Sequence, residues 1–169
     1  AQIGYMVLGI GLANTTGITG AILHLFNHAL MKGALFLALA AVAYRLGSTK
    51  RQDLVGLGRR MPWTMAAFTV GALGMIGVPP IAGFVSKWFL GLGTLEAGHL
   101  GLLAVLMVSS LLSLWYLLEV PVKAFFLPSK DEDAGGGIHE APLPSLLALV
   151  TTAVVTVALF LFPETIHSL

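Results

Sequence analysis

Long apolar runs decide what this chain can fold into. A helix needs about 20 apolar residues to cross the hydrocarbon core of a bilayer, and runs near or above that length begin at Thr16, Met61, Leu100 and Pro142. The 169 residues are 57% hydrophobic and 10% charged, with a mean hydropathy of +0.91, whereas soluble domains carry about 25% charged residues. We therefore expect an all-α polytopic membrane protein.

The runs also define the predicted helices. We expect one transmembrane helical unit over residues 1–169, with helices near 3–13, 16–44, 100–126 and 142–162, and one broken span formed by 61–78 and 83–96. The chain starts Ala1-Gln2, with no Met and no basic stretch, so its start does not resemble a signal peptide. We expect a fragment of a longer subunit.

Two adjacent prolines interrupt the third run. Proline has no amide hydrogen and disfavours helix at the residue before it, so Pro79-Pro80, with Gly77 before and Gly83 after, should break the helix near mid-membrane. Non-helical backbone at that depth is tolerated where it is buried in protein or lines a wet cavity, and transporters use broken helices as ion sites. The alternative is two short helices that meet in a surface turn.

The basic residues favour a single crossing by this broken span. The positive-inside rule places residues 45–60 in the cytoplasm, because that stretch contains Arg45, Lys50, Arg51, Arg59 and Arg60. If 61–96 crosses once, the loop 127–141 lies on the same side, and the segments on the opposite side contain no Lys or Arg. We predict a multi-pass protein of the cell (inner) membrane with loops 45–60 and 127–141 cytoplasmic.

Two lysines lie inside the apolar runs. Lys32 is near the middle of Thr16–Tyr44, where its side chain cannot easily reach the interface, and Lys87 follows the predicted break. A buried charge in a membrane is costly and is tolerated mainly where it pairs or lines a polar path. We predict that both lysines are buried and carry protons. The alternative for Lys87 is a structural pair with a carboxylate of another subunit.

Two histidines extend the predicted path. His24, His28 and Lys32 are spaced by four residues, which places them along one slowly drifting stripe of a helix, about 6 Å apart. Histidine exchanges protons near neutral pH, so such a row suits a proton relay. The alternative is that the histidines only form hydrogen bonds between helices. We take Lys32, Lys87, His28 and His24 as the proton-translocating residues.

Other chemistry is not indicated. The chain has no cysteine, which excludes iron–sulfur ligation and thiolate metal sites by this chain, and it contains no P-loop, dinucleotide fingerprint or nucleophile–base arrangement. With a net charge of +1 and no basic, aromatic face, nucleic acid is not an expected partner. We predict no cofactor, no metal and no redox or hydrolytic chemistry in this chain. Whether it belongs to a larger translocating enzyme stays open.

Three motifs resemble one family of membrane subunits. Gln2–Met6 resembles its "SQIGYM" helix, His24–Leu37 is similar to "H-x-x-x-H-A-x-x-K-A-x-L-F-L", and Gly77–Trp88 resembles the broken helix "G-x-P-P-x-x-G-F-x-S-K-W". The family comprises the antiporter-like subunits of Mrp-type monovalent cation/proton antiporters, of NADH:quinone oxidoreductase (complex I) and of membrane-bound hydrogenases. The resemblance places this chain in their C-terminal part.

The resemblance implies a fold of inverted repeats and a role in proton translocation within a multisubunit complex. By it, His28 and Lys32 belong to a central hydrophilic axis, and Lys87 is the gate of a half-channel open to the outside. The Ser86-Lys87-Trp88 form is most similar to the D-type subunits of Mrp antiporters, which exchange protons for Na⁺. A pumping subunit of complex I or of a hydrogenase is the alternative, and a structural anchor is the second. Glu119 stands where relatives usually have an apolar residue or proline.

The topology generates the first prediction. Because the basic residues fall on one side, Lys50 and Lys130 should react with an impermeant label from the cytoplasmic side, and residues 96–99 from the outside. Site-directed labelling of intact cells and inverted vesicles measures this. Lys50 and Lys130 on opposite sides would contradict the single crossing.

Overall fold

The computed structural model describes residues 1–128 and 140–161. The predicted loop around Lys130 and the end of the predicted helix 142–162 lie partly outside these residues. The described elements are α1 Gln2–Gly11, α2 Thr15–Leu46, α3 Leu57–Arg60, α4 Pro62–Ile76, α5 Ala82–Glu96, α6 Leu100–Phe126 and α7 Leu143–Leu161. By length and composition α2, α6 and α7 can each cross a membrane, and the all-α polytopic fold is confirmed.

The predicted discontinuity at Pro79-Pro80 is confirmed. Helix α4 ends at Ile76, and α5 begins five residues after Gly77, at Ala82. Gly77 has φ +89°, a left-handed conformation that side chains other than glycine rarely adopt. The amide of Gly77 donates to the carbonyl of Leu73 and so closes the last turn of α4. The chain then re-enters a helix with a new set of backbone partners.

Helix α2 is the spine along which both half-helices lie. Its 32 residues span about 48 Å at 1.5 Å per residue. From its middle toward its C-terminus α2 packs on α4, where Met31 contacts Gly74; toward its N-terminus it packs on α5, where Gly20 contacts Leu90. The two half-helices therefore follow each other antiparallel to α2, as a single crossing requires, and the break lies opposite the middle of α2.

Small residues allow this close approach. A side chain at Gly83 would collide with the backbone carbonyl of Gly74, and one at Gly93 would collide with the backbone of Gly17. Small residues at helix contacts are typical of membrane bundles because they let backbones come together. The glycines therefore fix where α5 sits against α2 and α4, and hence where Lys87 lies.

The segment 45–60 is not only the polar loop that its charges suggest. It contains helix α3, and Leu54 and Leu57 are buried against the core. A side chain at Gly58 would collide with the ring of Phe125, so α3 lies directly on the end of α6. The apolar residues that dock this segment are few, and the five basic residues around them dominate the sequence pattern.

Glu119, the residue that departs from the family pattern, holds this segment in place. Its carboxylate accepts from Lys123 at 2.6 Å, the expected i,i+4 partner, and from Arg51 at 3.0 Å. The amide of Gly56 also donates to the carbonyl of Lys123. Because these groups are partly exposed, the ion pairs stabilise the fold little, and their main effect is to fix the position of residues 45–60 against α6.

Glu140 caps the start of α4 from a distant part of the chain. Its carboxylate accepts from the Trp63 amide at 2.6 Å and from the Thr64 hydroxyl at 2.7 Å. Met61, which precedes α4, offers no side-chain acceptor, so Glu140 supplies the partner that the first amides of a helix need. Its backbone carbonyl accepts from Arg45 at 2.7 Å, which ties the end of α2 to the same point.

Candidate functional site

Lys87 lies where α4 stops. Its ammonium donates to the backbone carbonyls of Met75 at 3.0 Å and Ile76 at 2.8 Å, and to the Ser110 hydroxyl at 3.1 Å. The side chain is 6% exposed. The last carbonyls of a helix have no partner inside it and carry the negative end of its dipole. The break therefore creates the acceptors that hold a buried ammonium, and no carboxylate of the described residues pairs with it.

An aromatic ring completes the surroundings of this ammonium. The centroid of the Tyr5 ring lies 5.0 Å from the Lys87 Nζ, within the range of a cation–π contact. The Tyr5 hydroxyl donates to the Ser109 hydroxyl at 2.7 Å. Helices α1, α4, α5 and α6 thus each contribute a group to the Lys87 site.

His24 is fully buried and bonded at both ring nitrogens. Nδ1 lies 2.9 Å from the Ser86 hydroxyl and Nε2 lies 2.9 Å from the Gln2 side-chain oxygen. The Gln2 amide nitrogen donates to the Met75 carbonyl at 3.3 Å, which directs its oxygen to His24. Since that oxygen only accepts, Nε2 carries a hydrogen. Met75 thereby links the His24 site to the Lys87 site.

The remaining two predicted residues continue along α2. The rings of His24 and His28 are stacked with centroids 6.1 Å apart, and His28 is partly buried. Each step of four residues rotates about 40° around the helix, so the row leaves the buried face at His24 and reaches the surface at Lys32. The Nζ of Lys32 lies 5.4 Å from the Phe36 ring centroid.

The exposure of Lys32 differs from the expectation of a buried lysine. The described residues leave it exposed, on a face of α2 that is otherwise apolar and includes Ile18, Ile22, Leu25 and Phe36. The physical reason is that α4, α5 and α7 cover only the opposite side of α2. The structure thus brings Lys87 and His24 together, places His28 beside them, and leaves Lys32 at the end of the row.

A cavity of about 300 Å³ adjoins Lys87 between α5 and α6. Apart from Lys87 and Ser110 its walls are mainly apolar, and they run along Leu95 and Leu103 toward the turn that joins the two helices. The cavity therefore extends from the lysine toward the end of the bundle that holds residues 96–99.

Several residues of this site were not identified from the sequence as functional. Gln2, Tyr5 and Ser86 lie in the stretches that resemble the family, yet the motifs alone do not show what they contact. Ser109 and Ser110 are an adjacent polar pair in the apolar run of α6. A polar pair in a membrane helix is a usable signal, because buried hydroxyls need partners.

Most of the chain matches the model of one protein family. Residues 1–113 match the family model described as NADH:quinone oxidoreductase/Mrp antiporter, TM. The chain belongs to this family. It is an integral membrane protein, as the family and the apolar helices require.

Two relatives with different names illustrate the similarity. NADH-quinone oxidoreductase subunit N of Desulforudis audaxviator (strain MP104C) is 50% identical over 98 residues, 58% of this chain and 20% of that protein. The D-type Na(+)/H(+) antiporter subunit of Alkalihalophilus pseudofirmus (strain ATCC BAA-2126 / JCM 17055 / OF4) is 38% identical over 90 residues, 53% of this chain and 18% of that protein. The matches thus cover about a fifth of the length of either relative.

A solved structure has the same arrangement of helices. A chain of the Mrp complex from Dietzia sp. DQ12-45-1b matches with a TM-score of 0.86 and 28% identity, over 97% of this chain and 38% of that chain. The predicted antiporter-like fold is therefore confirmed, and the solved relative is a subunit of a multisubunit membrane complex.

The Lys87 site generates a stability prediction. Replacing Lys87 with Met leaves the carbonyl of Ile76 without its donor and that of Met75 with only the long bond from Gln2, and the unfolding free energy of the full-length protein should fall by about 1–3 kcal/mol. Denaturant-induced unfolding in detergent micelles measures this. Lys50→Met, at an exposed position, should stay within about 0.5 kcal/mol of wild type. Equal stability of the two variants would contradict the assignment of Lys87 as the partner of these carbonyls.

Proposed function

We propose that this chain is the proton-translocating C-terminal part of an antiporter-like subunit in a multisubunit membrane complex. The observation that carries the proposal is the row of polar groups through an otherwise apolar bundle, from Lys87 past Ser86 and His24 to His28 and Lys32. A membrane protein bears the cost of such groups where they serve a path. The family relationship supports the same function.

The bonds of His24 suit proton transfer. Ser86 lies 2.9 Å from Nδ1 and 3.1 Å from the carbonyl of Gly83, to which its hydroxyl can donate. When His24 is neutral, Ser86 donates to Nδ1. When His24 is protonated, Nδ1 donates to Ser86, whose hydrogen turns to Gly83. Rotation of one hydroxyl therefore satisfies both protonation states without moving a helix.

Lys87 acts as the terminal proton holder of the row. The two carbonyls at the end of α4 stabilise its ammonium, so a proton that arrives there is retained until another positive charge comes close to Lys87. A second positive charge nearby would disfavour the first. We propose that a proton entering the row at His28 or His24 displaces the one on Lys87 into the adjoining cavity, and that this cavity leads to the outside.

The exposed face around Lys32 is proposed to pack against the first inverted repeat. That face is apolar except for this lysine, and an apolar face with one charge is typical of a buried contact next to a polar path. Lys32 would then lie on the axis between the two repeats, where the row continues. The segments 45–60 and 127–141 are proposed to face the cytoplasm and the subunit to lie in the cell membrane.

The type of complex has two candidates. We propose an Mrp-type cation/proton antiporter first, on the Ser86-Lys87-Trp88 motif and the similarity to the Dietzia Mrp chain. The 50% identity with subunit N favours the pumping arm of an NADH-quinone oxidoreductase as the second. Mass spectrometry of the subunits that purify with this chain distinguishes them. Small membrane subunits without redox groups support the first candidate, and flavin or iron–sulfur subunits support the second.

The transport role generates a mutational prediction. In sealed vesicles containing the complete assembly, Lys32→Ala should lower proton movement at least tenfold while assembly is retained, because the change removes a titratable group and leaves the apolar residues of that face in place. Lys32→Arg should fail as well, since a guanidinium hardly releases its proton. The flux is read from a pH-sensitive dye after a defined gradient is applied.

Lys50→Ala is the matched control, because it removes a lysine outside the row. It should keep the wild-type flux. Full proton movement in Lys32→Ala or Lys32→Arg would show that this lysine is structural.

A further inference from the structure

Gln2 is a buried polar residue that takes part in no step of the proposed transport. Its side chain is 7% exposed and its two polar atoms contact two different helices. The side-chain oxygen lies 2.9 Å from Nε2 of His24 on α2, and the amide nitrogen lies 3.3 Å from the carbonyl of Met75 on α4. We propose, on the basis of the proton-translocating function given above, that Gln2 is a positioning residue. It makes Nδ1 of His24 the nitrogen that takes up and releases protons.

The Met75 carbonyl decides which way the Gln2 amide is oriented. A backbone carbonyl only accepts hydrogen bonds, so the Gln2 group that faces it must be the NH₂. With the amide reversed, two acceptor oxygens would face each other in a buried site, which costs free energy. The Gln2 oxygen therefore faces His24. Because this oxygen also only accepts, the hydrogen between the two residues belongs to Nε2 of His24.

The hydrogen bonds at both ring nitrogens then select one neutral form of His24. With the hydrogen on Nε2, the ring donates to Gln2, and Nδ1 accepts from the Ser86 hydroxyl at 2.9 Å. With the hydrogen on Nδ1, the ring would donate to Ser86, but Nε2 and the Gln2 oxygen would face each other as two acceptors. The bond made by one ring nitrogen thus fixes the state of the other. Gln2 excludes the second form.

The selected form restricts where His24 exchanges protons. A carboxamide oxygen accepts a hydrogen bond but takes up no proton near neutral pH, so Nε2 keeps its hydrogen in both the neutral and the protonated ring. Only Nδ1 gains and loses a proton. Its partner there is Ser86, the residue before Lys87 on α5. Gln2 therefore closes one side of His24 to exchange and directs the exchange to the side of α5.

The form of the ring is measured by ¹⁵N solid-state NMR of the complete assembly in bilayers, with ¹⁵N-labelled histidine, at a mildly alkaline pH where histidine is neutral. The His24 signals are those lost in His24→Phe. In wild type, Nε2 of His24 should carry the hydrogen and Nδ1 should give the signal of an unprotonated nitrogen.

Two variants of Gln2 separate its acceptor from its volume. Gln2→Met keeps a similar volume but removes the acceptor. The better bonded form is then the one in which Nδ1 donates to Ser86, whose hydroxyl donates to the Gly83 carbonyl at 3.1 Å. The ratio of the two forms should change about tenfold, the effect of one hydrogen bond. Gln2→Glu keeps an acceptor oxygen at this position and should keep the hydrogen on Nε2.

Proton flux in sealed vesicles that contain the complete assembly gives the second readout. Gln2→Met should lower the flux about tenfold, because Nδ1 of the neutral ring is already protonated and takes up no proton from the Ser86 side. Gln52→Met, the matched change at an exposed glutamine, should leave both the ring spectra and the flux unchanged.

Each readout can overturn the proposal. An unchanged ring form in Gln2→Met, wild-type flux despite a changed ring form, or a hydrogen on Nδ1 alone in Gln2→Glu would do so. The Gln2→Glu spectrum decides the matter if Gln2→Met does not assemble. A wild-type assembly without proton flux would contradict the proposed function instead, and the spectra would still report whether Gln2 sets the form of His24.

Discussion

The structure depends on backbone carbonyls that a helix break leaves without partners inside a membrane protein. Ending α4 at Ile76 frees the last carbonyls of that helix among buried residues, where water is scarce. Lys87 and Gln2 supply the missing donors. The same bonds place the Lys87 ammonium group beside His24. The side chains that satisfy the free carbonyls of α4 therefore also form the site. A continuous helix would have no such acceptors and would leave the buried lysine only the Ser110 hydroxyl and the Tyr5 ring as partners.

Helix α2 extends this local site into a row of titratable groups. It is long and has small residues on one side, Gly17 and Gly20 against α5 and Ala34 against α4. They let α4 and α5 lie along it in sequence, and its titratable residues advance around it by about 40° with every four residues. His24 therefore faces the Lys87 site while Lys32 faces outward. The row His24, His28 and Lys32 thus runs from the interior of this unit to its surface, where the proposed first repeat would pack. Glu140 and Glu119 fix the other ends of the helices and lie outside this row.

Much of this arrangement could be predicted from the sequence, and the reasons for the remainder are physical. The break at Pro79-Pro80 and the row His24, His28, Lys32 follow from proline chemistry and helical spacing, which are local. The contacts of Lys87 with Met75 and Ile76, and the cap by Glu140, join residues far apart in the chain or across the break, and no periodic pattern encodes them. Helix α3 is not predicted from the sequence, because the pattern of residues 45–60 is dominated by charges and only two leucines dock the segment. The exposure of Lys32 follows from which helices surround α2, which spacing alone does not specify.

The central claim is that protons pass through the row rather than around it, and His28 tests it most directly. His28→Phe keeps a ring stacked on His24 and leaves both lysines in place, so it removes only the titratable group between them. Proton flux into sealed vesicles that contain the complete assembly should fall at least tenfold, whereas Lys50→Phe, at an exposed titratable residue outside both the row and the cavity, should leave it unchanged. Wild-type flux in His28→Phe would contradict the account.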